Sequence, residues 1–285
     1  LSVLDLVPDG ADWAEIVSTA KALEAVGVTL FNTGVGWHEA RVPTIAHMVP
    51  RGAFAFAAAR LRGELAVPLV ASNRINNPAQ AEDLLASGAA DMVSLARPFL
   101  ADAQFVRKAR EGRADEINTC IACNQACLDV IFRDQLCGCM VNPRACRETE
   151  PAPAPVVSPK RVAVVGGGPA GLAFALAAAE RGHRVGVYEA AGRLGGQFNL
   201  AKTIPGKGDY AETIRYFTRR LERLGVPVHL NHHADAAELV AGGFDAVILA
   251  TGVRPRRPAI AGIDHPMVID YAELLTGTRT AGQRV

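Results

Sequence analysis

Three cysteines, Cys120, Cys123 and Cys127, fall within eight residues in the spacing C-x2-C-x3-C, and Cys137, Cys139 and Cys146 follow. Thiols this close cannot pair among themselves without severe strain. The stretch also lacks the paired C-x2-C knuckles and histidines of a structural zinc site. Four thiolates, three of them from one loop, suit an iron–sulfur cluster, which takes one protein sulfur per iron corner. The alternative is a set of reduced cysteines packed as small hydrophobes, and such residues have no reason to crowd. Cys137 and Cys139 compete for the fourth position, and spacing does not decide between them.

A second chemical stretch is Gly166-Gly167-Gly168-Pro169-Ala170-Gly171, a G-x-G-x-x-G run between an apolar strand at 161–165 and an Ala-rich helix at 172–181. Gly166 permits the tight turn, Gly168 lets the backbone approach a pyrophosphate, and Gly171 allows close packing of helix on strand. The helix N-terminus, opened by Pro169 and Ala170, faces the anion. A second strand, 184–188, ends at Glu189, the acid expected on a ribose hydroxyl. That acid disfavours a 2′-phosphate, so the expected dinucleotide is FAD or NAD. Gly195-Gly196-Gln197 follows, and a strand at 245–250 leads into Thr251-Gly252.

The elements that position these residues differ before and after the cysteines. Residues 1–113 alternate strands (2–7, 28–33, 68–72, 91–95) with helices (12–26, 54–62, 78–87, 102–111), with Gly27 and Gly88 at helix ends. Repeated βα units mean a parallel sheet. Four units make half of a (β/α)8 barrel, or a small doubly wound sheet. The loops after the strands favour the barrel, whose chemistry sits at strand C-termini. They carry Gly36-Trp37-His38-Glu39-Ala40-Arg41, Asn73-Arg74 and Ala96-Arg97. Arg74 and Arg97 are placed to grip a phosphate. His38, in a polar loop with Glu39 and Arg41, is placed to donate a proton or hydrogen-bond a carbonyl. Residues 115–150 form the cysteine segment. Residues 151–159, Pro-Ala-Pro-Ala-Pro-Val-Val-Ser-Pro, read as a stiff linker before a domain at 160–285.

With 285 residues, 49% hydrophobic and 21% charged, the chain reads as globular and long enough for two cores. A net charge of +1 argues against nucleic acid or an anionic membrane as partner. No apolar run reaches membrane-spanning length. The first residues have no basic n-region and break at Pro8-Asp9-Gly10, so they read as a strand rather than a signal peptide. Reduced cysteine ligands point to the cytoplasm. The start without Met and the end at Gly282-Gln283-Arg284-Val285, which looks like the approach to another strand, suggest an excerpt from a longer protein.

These residues resemble bacterial NADPH-dependent 2,4-dienoyl-CoA reductases, multidomain relatives of Old Yellow Enzyme. The resemblance runs through Asn32-Thr33-Gly34-Val35-Gly36-Trp37-His38-Glu39-Ala40-Arg41, Asn73-Arg74-Ile75-Asn76, Ala96-Arg97-Pro98-Phe99-Leu100 and Ile117-Asn118-Thr119-Cys120-Ile121-Ala122-Cys123-Asn124-Gln125-Ala126-Cys127. Met140-Val141-Asn142-Pro143-Arg144-Ala145-Cys146 also fits. The resemblance implies the C-terminal half of an FMN-binding TIM barrel (1–114), a [4Fe-4S] segment (115–150) and a Rossmann-like FAD domain (160–285), with the NADPH domain lying outside the chain. It places FMN on Arg74, Ala96 and Arg97. The cluster falls on Cys120, Cys123, Cys127 and Cys139, leaving Cys137 and Cys146 unligated. FAD falls on Gly166, Gly168, Pro169, Ala170, Gly171, Glu189 and Gln197. An unsaturated acyl-CoA would meet His38, Glu39, Ala40 and Arg41, with His38 polarising the thioester carbonyl beside a tyrosine acid from the barrel half outside the chain. The implied activity passes electrons from NADPH through FAD and the cluster to FMN and the dienoyl chain. Alternatives are an amine dehydrogenase or NADH oxidase of the same architecture, or an electron-transfer module without its own substrate.

Overall fold

The computed structural model describes residues 1–36 and 40–284, and the chain divides into two compact units, Leu1–Thr149 and Glu150–Val285. In the first, α1 (Trp13–Ala25) starts at a capping box. Asp12 Oδ1 accepts from the Glu15 N–H at 2.9 Å, and Glu15 accepts in turn from the Asp12 N–H at 3.0 Å. Then come β1 (Phe31–Asn32), α2 (Ala55–Arg62), β2 (Leu69–Ala71), α3 (Pro78–Ala86), β3 (Met92–Val93), α4 (Arg97–Ala101) and α5 (Phe105–Arg110). A short 3-10 turn, Ala114–Glu116, and α6 (Leu128–Ile131) complete the unit.

The three strands pair in parallel in the order β1-β2-β3, with Phe31 opposite Leu69 and Val70 opposite Met92. On the free side of β1 the opening residues run parallel through a bridge from Ser2 to Gly34. The order along the sheet is therefore sequential. A doubly wound sheet reverses at a switch point, whereas a barrel arc does not. Val3, Ala20, Phe31, Leu61 and Leu69 fill one core beneath the strands, and Ala71, Ile75, Leu84 and Ala90 a second.

The strand expected at 2–7 is reduced to that bridge. Asp5 accepts from the Ser2 hydroxyl and the Ala11 N–H, which turns the chain early. The helix expected at 102–111 is also shorter, and α4 precedes it. Asp102 is extended (φ −148°) and buried because its carboxylate gathers donors. It accepts from the Gln104 N–H at 3.0 Å, Lys108 Nζ at 2.6 Å and the Asn118 N–H at 2.9 Å. Lys108 also donates to the Glu116 carbonyl at 3.0 Å. The fully buried Glu116 carboxylate receives the fork of Arg113 at 2.8 and 3.0 Å. This network leads straight into the buried stretch Ile117 to Ala122.

The second unit holds β4 (Arg161–Val165), α7 (Pro169–Glu180), β5 (Arg184–Tyr188), α8 (Phe198–Ala201), α9 (Tyr210–Arg223), β6 (Val228–His229), α10 (Ala236–Ala241), β7 (Ala246–Leu249) and α11 (Tyr271–Thr276). Its parallel sheet has the order β6-β5-β4-β7. Counted within the unit this is third, second, first, fourth, the doubly wound dinucleotide-binding order. Val162, Val164, Leu172, Leu176, Val187, Phe217 and Leu221 form its core. Residues 154–156 are not a free spacer. Val156 donates its N–H to the Arg181 carbonyl at 2.9 Å, and Arg181 Nε reaches the Ala154 carbonyl at 3.2 Å. Among the described residues no helix is long and apolar enough to cross a membrane.

Removing one partner of a buried, hydrogen-bonded ion pair is costly because the other charge is left uncompensated. Asp102→Ala is therefore expected to lower unfolding stability by about 3–5 kcal/mol. Lys21→Ala, which breaks the exposed pair with Glu64, should cost less than about 1 kcal/mol. Urea denaturation of the two variants checks the contrast, and equal effects would contradict it.

Candidate functional site

In the first unit the strand ends open into a cavity of about 180 Å³. Ser72, Asn73, Arg74 and Asn76 after β2, and Ser94, Ala96 and Arg97 after β3, line it together with Ile45 and Cys120. Asn73 and Arg74 both have left-handed backbones, φ 69° and 57°. For a non-glycine residue this is strained, and it persists only where the surroundings enforce it. Here the Arg74 carbonyl accepts from the Gly52 N–H and from Gln80 Nε2, both at 3.0 Å. The Arg74 side chain is buried, with Nε donating to the Val49 carbonyl at 2.8 Å. A fixed, desolvated guanidinium of this kind suits an anionic ligand group.

A second, smaller cavity is lined by Cys120, Cys123, Cys127 and Cys139 with Arg97, Leu100, Ile121, Asn124, Met140 and Val141. The loop carrying the first three cysteines turns through Ala122 (φ 52°) and Asn124 (φ 60°), either side of Cys123. Arg97 Nη1 donates to Asn124 Oδ1 at 2.6 Å, and Asn76 Nδ2 to the Cys120 carbonyl at 2.8 Å. Arg97 and Cys120 line both cavities, which therefore share a wall.

Burial pushes the thiols of Cys120 and Cys123 up, an effect the Arg97 charge partly offsets, and pushes Cys139 up to about 11. Alone, these groups stay protonated at neutral pH. A centre that binds them as thiolates must bring its own positive charge. Among the described residues no three His, Cys, Asp or Glu side chains converge closely enough for a single metal ion. The four cysteines line one mostly apolar cavity, and four thiolates are the donor set an iron–sulfur body takes.

In the second unit the glycine loop is hemmed in on two sides. A Cβ on Gly166 would lie 2.2 Å from the Ala250 carbonyl oxygen, and one on Gly171 would lie 2.0 Å from the Gly166 oxygen. One on Gly168 would meet nothing nearer than 3.9 Å. The loop is thus closed around Gly166 and Gly171 and open at Gly168, where α7 begins without a side-chain cap. That is the cradle a pyrophosphate needs. Glu189 accepts from the Gly167 N–H at 2.6 Å and the Ala191 N–H at 2.7 Å, so its first task here is to tie the loop down. Gly195 donates its N–H to the Gly167 carbonyl at 2.8 Å, which brings the Gly195–Gly196 turn beside the cradle. Gln197 is held between the Val253 carbonyl, at 2.8 Å, and the Tyr271 hydroxyl, at 3.2 Å.

The structure thus brings Arg74, Ala96 and Arg97 onto one cavity and the four cysteines onto another. His38 and Glu39 lie outside the described residues. Ala40 is half-buried, Arg41 is exposed, and neither is among the residues lining the strand-end cavity. Sequence reasoning missed Ser72 and Ser94 as lining residues, although one ends a predicted strand and the other is next to the end of one, and missed Asn124 as the partner of Arg97.

Gly168→Ala is expected to keep the melting temperature while weakening bound dinucleotide at least about tenfold, a loss of about 1.4 kcal/mol. Gly171→Ala is expected to destabilise the fold by about 1–3 kcal/mol or more through overpacking. Thermal melts and cofactor content of the two variants separate these outcomes. Unfolding of the Gly168 variant would contradict the open cradle.

Residues 1–116 match the NADH:flavin oxidoreductase / NADH oxidase family, and residues 160–281 match the pyridine nucleotide-disulphide oxidoreductase family. The chain is 37% identical to a metal reductase of Desulforamulus reducens, over 99% of the chain and 43% of that relative. It is also 37% identical to an NADH oxidase of Thermoanaerobacter brockii, over 96% of the chain and 43% of the relative. Among solved structures, a 2-naphthoyl-CoA reductase in complex with 2-naphthoyl-CoA superimposes with a TM-score of 0.94 at 37% identity, covering 99% of this chain and 43% of that one. The chain therefore spans under half the length of the relatives it matches. Its first unit is thus similar to the NADH:flavin oxidoreductase / NADH oxidase family, and its second to the pyridine nucleotide-disulphide oxidoreductases.

Proposed function

We propose that this chain is the central part of an NADPH-dependent reductase that acts on the conjugated double bonds of an unsaturated acyl-CoA, with 2,4-dienoyl-CoA as substrate. In this reading residues 1–114 are the C-terminal half of an FMN barrel, 115–150 the [4Fe-4S] segment and 160–285 the FAD domain. The enzyme works in the cytoplasm. The observation that carries the reading is the shared wall, with four cysteines on one side and the strand-end arginines on the other, joined by Arg97 and Cys120. When bound, FMN, the cluster and FAD supply a path for electrons from NADPH to the substrate.

The chain's own residues have three tasks. Arg74 and Arg97 hold anionic groups of the flavin at the strand ends, where this architecture keeps its chemistry. Cys120, Cys123, Cys127 and Cys139 supply thiolates from an apolar pocket. His38 hydrogen-bonds the thioester carbonyl and stabilises the negative charge that develops on it. Glu39, Ala40 and Arg41 continue the substrate-binding loop.

A second reading, reduction of an aromatic acyl-CoA, draws on the likeness to the 2-naphthoyl-CoA reductase. Amine oxidation is less favoured, because the solved histamine dehydrogenase is the more distant likeness, at 25% identity and a TM-score of 0.82.

The protein expressed from its full reading frame and purified without oxygen is expected to oxidise NADPH when a 2,4-dienoyl-CoA is added, and not when trimethylamine is added. His38→Ala should lower that rate by about 10²–10³-fold, as removal of an oxyanion donor does. Turnover of 2-naphthoyl-CoA alone would favour the second reading. Activity with an artificial acceptor but with no thioester would overturn both.

A further inference from the structure

We propose that Asn124, in the cysteine loop, is a positioning residue for the strand-end cavity: its side-chain amide orients Arg97 while leaving the guanidinium charge unmatched, for a flavin phosphate to take. Arg97 lines both cavities, and Asn124 lines the cysteine cavity. Arg97 Nη1 donates to Asn124 Oδ1 at 2.6 Å, and both residues are half-buried. Among the described residues Asn124 is the only hydrogen-bond partner of the Arg97 side chain, and no carboxylate pairs with it. A guanidinium is all donor and has no acceptor atom. The amide must therefore present its oxygen, and the remaining N–H groups of Arg97 are left for a ligand.

The residue type matters here for both backbone and charge. Asn124 is left-handed (φ 60°), a region that glycine, asparagine and aspartate enter most readily. Its carbonyl accepts from the Asp129 N–H at 3.1 Å, which fixes the turn between Cys123 and Cys127. Aspartate would keep this backbone and accept the same hydrogen bond, but its charge would neutralise Arg97. Glycine would keep the backbone and remove the acceptor. Of the three, asparagine alone supplies the backbone and the acceptor without a charge. A cation that is oriented but not neutralised is what a phosphate at the end of a barrel strand needs.

The arrangement ties phosphate binding to the cysteine loop. Arg97 starts α4, after β3, whereas Asn124 belongs to the loop that presents Cys123 and Cys127. Folding of that loop thereby completes the phosphate site on the other side of the shared wall. This role rests on the reading of the strand-end cavity as an FMN site, whereas the Arg97–Asn124 bond itself does not.

The test dialyses the full protein, purified without oxygen, against graded FMN or graded riboflavin and counts bound flavin apart from FAD. Asn124→Gly is expected to weaken FMN binding about 2–10-fold, the effect of releasing one ordered side chain. Asn124→Asp is expected to weaken it about 10–100-fold, the strength of hydrogen bonds to a charged group. Riboflavin, which lacks the phosphate, should bind both variants as it binds the unsubstituted protein, with iron and sulfide content unchanged. In an Arg97→Ala background, Asn124→Gly should change FMN binding by less than about twofold, because the group it acts through is gone. Equal losses for FMN and riboflavin overturn the proposal, as does an undiminished effect of Asn124→Gly without Arg97, or an Asn124→Asp variant that binds FMN normally. Loss of iron in Asn124→Gly overturns it as well, by assigning the side chain to the cluster loop alone. An unsubstituted protein that takes up no FMN overturns the flavin reading, and this proposal with it.

Discussion

A buried carboxylate needs its charge matched and its lone pairs filled, and the carboxylate of Asp102 meets both demands with donors from separate stretches of chain. Lys108 supplies the charge from α5, and the N–H groups of Gln104 and Asn118 supply the rest. Lys108 also holds the Glu116 carbonyl. The helix that begins at Arg97 and the extended segment that carries Cys120 are thereby fixed to one point. Arg97 and Cys120 are the residues common to both cavities of the first unit. This hub, with the Arg97–Asn124 and Asn76–Cys120 hydrogen bonds, sets their relation to each other, and the shared wall depends on them.

The two units offer an anionic group different surfaces. The first uses guanidinium groups placed by strand ends, with Arg74 held in a strained backbone by bonds to its own carbonyl. The second uses almost no side-chain charge. Its cradle is made of bare backbone N–H groups at the start of α7, kept open by the missing Cβ of Gly168 and braced by Glu189. The cysteine cavity is a third kind of environment. Its walls are apolar and burial pushes up the thiols of Cys120, Cys123 and Cys139, so it suits a positively charged inorganic centre rather than a free thiolate.

Much of this was legible where local chemistry decides local structure. The strands Arg161–Val165 and Arg184–Tyr188 and the intervening glycine turn follow from short β-branched runs and a fixed glycine spacing. The first strand and the last helix of the first unit were read too long, because Asp5 and Asp102 recruit backbone N–H groups from a distance and end regular structure early. Arg97-Pro98 reads as a loop motif, yet Pro98 sits in the first turn of α4, where its missing N–H costs nothing. The positive φ of Arg74 left no trace in residue type, since arginine has no preference for that region. That Arg97 and Cys120 wall two cavities at once is a property of packing, and no spacing rule contains it.

The most direct test of the shared-wall account is iron and acid-labile sulfide analysis of the protein purified without oxygen, with electron paramagnetic resonance after reduction by NADPH. The account predicts about four iron and four sulfide per chain, with a paramagnetic cluster signal that appears on reduction. Iron without sulfide, a single zinc, or a complete set of alkylatable thiols at Cys120, Cys123, Cys127 and Cys139 in the protein as purified would contradict it.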